Sequence, residues 1–183
     1  KVSDYTYDEI QKLNLVDRSG NVTPYKIPTL KQILEWGKDK VVFNFDNKYI
    51  NTKGVSDEVK KASLDYYIKQ LSPGGDWSMY HNIMLSVRSI DEALYYWNHG
   101  IHNVMFCVEI SSEEHFEAYD KCDIPWDHIM AYVRLAVNPE LYGVYKKLHD
   151  RGVMTMTSIT GSSDKVKNAK DRRIAYEREL VAE

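Results

Sequence analysis

Apolar and polar positions along the chain alternate between two periods, and the alternation predicts strands and helices in turn. Short β-branched or apolar runs occupy residues 40–45, 82–87, 103–110, 128–137 and 153–159. Between them, helical patterns cover residues 56–71, 89–99, 112–120, 139–150 and 164–181, and an earlier helix over 29–37 precedes the first strand. A further helical piece spans 7–13, but residues 1–23 hold no convincing strand. Strands alternating with helices of this length imply βαβ units and a parallel sheet.

The punctuation agrees. Ser56, Ser89 and Ser112 each precede acidic residues, which places a hydroxyl cap and negative charge where the helix dipole favours them. Ser89 and Glu92 have capping-box spacing. Asn138-Pro139 reads as a cap followed by proline at the first helical position, and Gly100 and Gly152 close helices. Pro73-Gly74-Gly75 reads as a loop joining helix to strand. The fold class is therefore α/β. Five β/α steps without dinucleotide-type glycines favour part of a (β/α)8 barrel, with all 183 residues as a single domain. Eight strands close such a barrel, so either the others lie outside this chain or the fold is an open α/β sheet.

In such barrels the chemistry sits at the C-terminal ends of the strands. The first run ends Asn44-Phe45-Asp46-Asn47-Lys48, where period two puts Asn44, Asp46 and Lys48 on one face and Phe43 and Phe45 on the other. A carboxylate and an ammonium there suit a hard cation and a phosphate oxygen; a strand-end salt bridge explains them equally well. Arg88, Glu109 and Arg134 are charged groups in or beside apolar runs, and each needs a partner or a ligand. Arg134 is the best phosphate clamp of the three, with an Arg134–Glu109 pair as the alternative. Thr155, Thr157 and Thr160 place hydroxyls at the last run. None of the six histidines falls at the C-terminal end of a predicted strand, so none is assigned to catalysis.

Bulk composition narrows the partners. A net charge of -3 gives no electrostatic footprint for nucleic acid, and no apolar stretch approaches the ~20 residues that span a bilayer. Two cysteines make neither a disulfide framework nor a metal motif, so the compartment, cytoplasmic or periplasmic/secreted, stays open. Fourteen tyrosines and four tryptophans suit core packing better than a sugar-gripping rim.

Three segments together resemble the glycerophosphodiester phosphodiesterases: residues 1–13, then Ile-Pro-Thr-Leu-Lys-Gln-Ile-Leu at 27–34, then Val-Val-Phe-Asn-Phe-Asp-Asn-Lys at 41–48. The resemblance implies a TIM barrel that uses a divalent cation, Ca²⁺ or Mg²⁺, to split glycerophosphodiesters into glycerol 3-phosphate and an alcohol. It makes Asp46 the counterpart of a metal-binding glutamate and Lys48 of a phosphate-contacting lysine; Arg88, Glu109 and Arg134, read from their places along the predicted strands, are the further candidate substrate contacts. The family's His-Arg-Gly segment, Glu-x-Asp pair and second histidine would precede Lys1 and are absent. The chain is thus expected to be the central and C-terminal part of a longer enzyme, inactive alone and prone to self-association through open sheet edges. The alternative is a non-catalytic phosphopolyol-binding or structural partial barrel.

Overall fold

The computed structural model describes residues 2–133 and 139–156. The chain divides into two compact units, residues 1–41 and residues 42 onward. In the first, a 3-10 turn (Val2–Asp4) leads to helix α1 (Tyr7–Lys12), then an antiparallel bridge between Val16 and Val22, then α2 (Leu30–Gly37). Both helices begin with a complete capping box, Thr6 with Glu9 and Thr29 with Gln32, so the Ile-Pro-Thr-Leu segment is a helix start for a local reason. The Val16–Val22 bridge closes around Asp17, whose carboxylate accepts the N–H groups of Ser19 and Asn21 at 2.8 and 2.9 Å.

The second unit is built on one parallel sheet. Strands β1 (Phe43–Asp46), β2 (Ile83–Ser86), β3 (Met105–Glu109), β4 (Ile129–Tyr132) and β5 (Met154–Met156) lie in the order in which the chain makes them. Between them run α3 (Lys48–Asn51) and α4 (Asp57–Leu71), then α5 (Ile90–Asn98), α6 (Glu113–Asp120) and α7 (Tyr142–Asp150). Crossovers between parallel strands are right-handed, and an order that never reverses puts every crossover on the same side. A doubly wound sheet reverses its order and carries helices on both faces. This one is wound in a single direction, as barrels are.

Burial follows from that winding. Ile83, Leu85, Phe106, Val108, Ile129 and Ala131 alternate onto the helix-covered face and are at most 2% exposed. On this side Tyr96 of α5 stacks against Phe106 at 6.3 Å, and Phe45 meets Trp77 edge-on at 5.4 Å and Tyr67 at 6.3 Å. Tyr67, Tyr96 and Trp77 thus serve as helix-to-sheet packing, whereas Tyr5, Tyr7, Tyr25, Tyr66, Tyr142 and Trp36 are exposed. Asn44, Met84, Ser86, Cys107, Met130 and Met154 alternate onto the opposite face, where Asn44 and Met154 are exposed, Ser86 and Met130 half-buried, and Met84 and Cys107 buried. The hydroxyl of Ser86 donates to the Asn44 amide oxygen at 2.7 Å, which confirms that these two share that face.

The elements depart from the expected boundaries in instructive places. Residues 40–42 are apolar in part yet lie outside β1, because the strand begins where Phe43 finds its partner Ile83. Lys48 does not extend the strand alternation; it opens the short helix α3. Ser56, Ser89 and Ser112 cap their helices as expected. Pro139 instead opens a 3-10 turn (Pro139–Leu141), and α7 starts after it with no side-chain cap. Gly75 is required by close approach: a Cβ there would lie 2.3 Å from the carbonyl oxygens of Lys69 and Gln70. Gly100, at φ +81, closes α5 in a conformation that side chains resist. Residues 134–137, Asn138, Thr157, Thr160 and the helix expected over 164–181 lie outside the described residues. No helix among the described residues is long and apolar enough to cross a membrane.

Candidate functional site at the C-terminal edge of the sheet

Parallel strands deliver their C-terminal ends to one edge, and three charged side chains meet there. Asp46 is the last residue of β1, Lys48 stands two residues on, and Arg88 follows β2 by two residues. The Arg88 Nη2 donates to both carboxylate oxygens of Asp46, at 3.1 and 3.2 Å, and the Lys48 ammonium donates to Oδ2. The salt bridge that the sequence allowed is therefore present, and it has two cationic partners. Burial opposes the charge on Asp46, but hydrogen bonds from Lys48 and Arg88 outweigh it and hold the carboxyl below its ordinary range.

Exposure decides what this cluster can do. Side-chain exposures of 31% for Asp46, 49% for Arg88 and 77% for Lys48 put it in solvent contact. Ion pairs so exposed stabilise a fold by at most about 1 kcal/mol. Its electrostatic consequence is clearer: two cations against one carboxylate make the Asp46–Lys48–Arg88 cluster itself net positive, with the Glu109 carboxylate bordering the same cleft. Among the described residues, Nε and Nη1 of Arg88 donate no hydrogen bond and so stay available to an anion. The corner opens on a cleft of about 200 Å³ whose lining includes Asp46, Ser86, Arg88, Cys107, Glu109 and Tyr132.

The backbone under Arg88 is held on both sides. The Val87 N–H continues the ladder to the Cys107 carbonyl at 3.0 Å. The Arg88 N–H donates to the Glu92 carboxylate at 2.8 Å. Capping-box spacing points Glu92 toward the N–H of Ser89; the structure sends it one residue further back, to Arg88, while the Ser89 hydroxyl accepts the Glu92 N–H at 3.2 Å. Glu92 is 7% exposed, and burial pushes its carboxyl above the ordinary range, against the opposing pull of Arg88. A carboxyl raised in the folded state adds stability below its unfolded value, and that stability is lost as pH rises through the folded value. A glutamine in place of Glu92 would keep an acceptor for the Arg88 N–H without a buried charge. The expected result is that Glu92→Gln is at least as stable as the parent in urea at pH 7, with its advantage shrinking toward pH 4. A variant clearly weaker at pH 7 would show that the charge itself is needed.

Glu109 ends β3 on the same edge, where its Oε1 accepts the Ser111 hydroxyl at 2.7 Å. It lines the cleft beside Asp46 and Arg88, so the structure gathers Asp46, Lys48, Arg88 and Glu109 at one edge. Arg134 lies outside the described residues. Thr155 sits within β5, and its neighbour Met156 lines the cleft. His115 escaped the sequence analysis because it belongs to a helix. It is the third residue of α6, capped onto the Ser112 hydroxyl at 3.1 Å, and so returns to the edge where β3 ends. Histidine in the first turn after a strand was the signal. Three other histidines bond backbone carbonyls: His99 and His102 at the end of α5, and His128 to the Val104 carbonyl ahead of β4.

The donor set can be tested for a divalent cation. Asp46 and Glu109 face the same cleft, yet Asp46 is already compensated by two cations. Among the described residues no group of three histidine, cysteine, aspartate or glutamate side chains converges. Hard cations take about six or more oxygens, several of them commonly from carboxylates. The described residues do not by themselves fit such an ion.

A sheet wound in one direction, with helices on one face and its polar cluster at the C-terminal strand edge, defines a β/α-barrel type of protein. Over its whole length the chain matches the crystal structure of a glycerophosphoryl diester phosphodiesterase from Parabacteroides distasonis ATCC 8503, at 34% identity and a TM-score of 0.74. The match covers 58% of that protein, so the chain spans somewhat more than half its length. No protein-family model and no curated protein matches the sequence. The likeness to the glycerophosphodiester phosphodiesterases, first carried by residues 1–48, thus extends over the whole chain, and the enzyme class it points to is a phosphoric diester hydrolase.

Proposed function

We propose that this chain supplies the phosphate-holding corner of an enzyme that hydrolyses glycerophosphodiesters to glycerol 3-phosphate and an alcohol. The observation that carries the reading is the net positive Asp46–Lys48–Arg88 cluster at the C-terminal edge, in a chain similar throughout to a phosphodiesterase. Arg88 and Lys48 bind the phosphoryl oxygens, and Asp46 holds the two cations in place for them. The Ser86 hydroxyl and Tyr132 border the same cleft. Electrostatic donors set in advance around a phosphate act where charge develops as the ester bond breaks. Arg134 belongs to the proposal as a second clamp, and Glu109 as a contact for the glycerol hydroxyls. By resemblance, calcium or magnesium is the ion expected of the enzyme, with Asp46 as the carboxylate this chain would offer it.

Glycerol 3-phosphate titrated into the chain, followed by NMR, tests the corner. It is expected to shift the side-chain signals of Arg88 and the backbone around residues 86–89, while the chain alone turns over no diester. An unmoved Arg88 at saturating ligand would overturn the phosphate assignment, and robust turnover by these 183 residues would overturn the view that they hold part of a site. β1 and β5 each have one sheet neighbour among the described residues, so light scattering is expected to report self-association.

A further inference from the structure

The two charged side chains at the end of β1 flank a residue that is neither charged nor exposed. Asn47 stands between Asp46 and Lys48 and is 6% exposed. Asparagine ahead of a helix is an ordinary cap, but this amide reaches across to two other helices. Its Nδ2 donates to the Ser63 hydroxyl oxygen on α4 at 2.8 Å, and that hydroxyl donates back to Oδ1 at 3.0 Å. On α5, burial pushes the Tyr96 phenol up, and a hydrogen bond from the Asn47 side chain works against that push. Tyr96 is itself 1% exposed and stacks on Phe106 in the middle strand. One buried amide thus ties the end of β1 to α4, to α5 and, through Tyr96, to the centre of the sheet.

The corner cannot hold itself in place. The Lys48–Asp46 and Arg88–Asp46 pairs are solvent-exposed, and ion pairs so exposed are too weak to fix long side chains in one geometry. A buried amide does fix its surroundings, because leaving either of its polar groups without a partner is costly. Neighbouring side chains on a strand point to opposite sides. An Asn47 locked toward the helices therefore turns Asp46 toward the cleft that it lines, and α3 starts from Lys48. We propose that Asn47 is the positioning residue of the phosphate corner: held between Ser63 and Tyr96, it sets the directions in which Asp46 and Lys48 leave β1, and with them the place where Arg88 meets Asp46. Asn47, Ser63 and Tyr96 are not among the described residues that line the cleft, so they act on a phosphate only through Asp46 and Lys48.

The inference rests on the phosphate-corner reading, and calorimetry with glycerol 3-phosphate separates the two. Asn47→Ala strips out a buried amide, so the half-buried Ser63 carries the test. Ser63→Ala, shown to be folded by its urea transition, is expected to weaken binding about fivefold, the worth of one neutral hydrogen bond. Tyr96→Phe, which removes only the hydroxyl, is expected to act in the same direction. Ser63→Thr keeps a hydroxyl and is expected to bind like the parent. Val144→Ala, in the core under α7, is expected to lower the urea midpoint and leave the affinity unchanged, which a merely structural role for Asn47 would not distinguish from the others. Parental affinity in Ser63→Ala and Tyr96→Phe, a Ser63→Thr no better than Ser63→Ala, or an equal loss in Val144→Ala would overturn the positioning role. Binding by the parent chain would in each case keep the phosphate corner standing. No binding by the parent chain would overturn both.

Discussion

Replacing Arg88 with alanine is expected to weaken binding of a glycerophosphodiester by roughly tenfold to a hundredfold, the cost of losing charge-assisted hydrogen bonds to a phosphate. The effect should be local. Arg88 is half exposed, and its bonds to Asp46 come from one nitrogen, so fold stability should move by no more than about 1 kcal/mol. Lysine at this position should recover little, because an ammonium lacks the planar fork that can bond Asp46 and a phosphate together. Lys48→Ala should cost less than Arg88→Ala, since its side chain is 77% exposed and its charge more screened. Calorimetry on the four proteins checks the ordering. If Arg88→Ala binds like the parent, the corner is a structural ion pair and no phosphate site.

The largest effect on stability is expected at Phe106. This residue is fully buried in the middle strand and stacks on Tyr96, so Phe106→Ala should cost about 3–5 kcal/mol in urea unfolding. Met154 tests how open the second face is at β5, since Met84 and Cys107 are buried nearer its middle. It pairs with Met130 on the face away from the helices and is 53% exposed, so Met154→Ala should change stability by about 0.5 kcal/mol or less. Comparable losses at the two positions would mean that the second face is covered at β5 as well.

Local chemistry made much of this legible in advance. Ser56, Ser89 and Ser112 cap helices wherever they are placed, because a hydroxyl within reach of a free N–H depends only on neighbours in sequence. The period-two pattern at residues 43–46 likewise put Asn44 and Asp46 opposite Phe43 and Phe45, and Phe45 indeed meets Tyr67 and Trp77 on the helix side. The misjudged places are those where a distant partner decides. β1 begins at Phe43 because β2 offers Ile83 there. Glu92 abandons the expected N–H for that of Arg88, whose position depends on the end of β2. His115 returns to the strand edge only because α6 starts where β3 ends.

By itself, then, the sequence determined an α/β chain of alternating strands and helices, the caps that start those helices, and a carboxylate with a lysine at the end of the first strand. Its motifs also determined the family likeness. Only the tertiary structure decided that the strands run in unbroken order with their helices on one face. It also decided that Arg88, 42 residues away from Asp46 in the chain, joins that carboxylate, and that Arg88 and Glu109 border two clefts at once. The physical reason is range. Caps and periodicity are contacts within a few residues, whereas the meeting of strand ends depends on sheet register, which no single segment encodes.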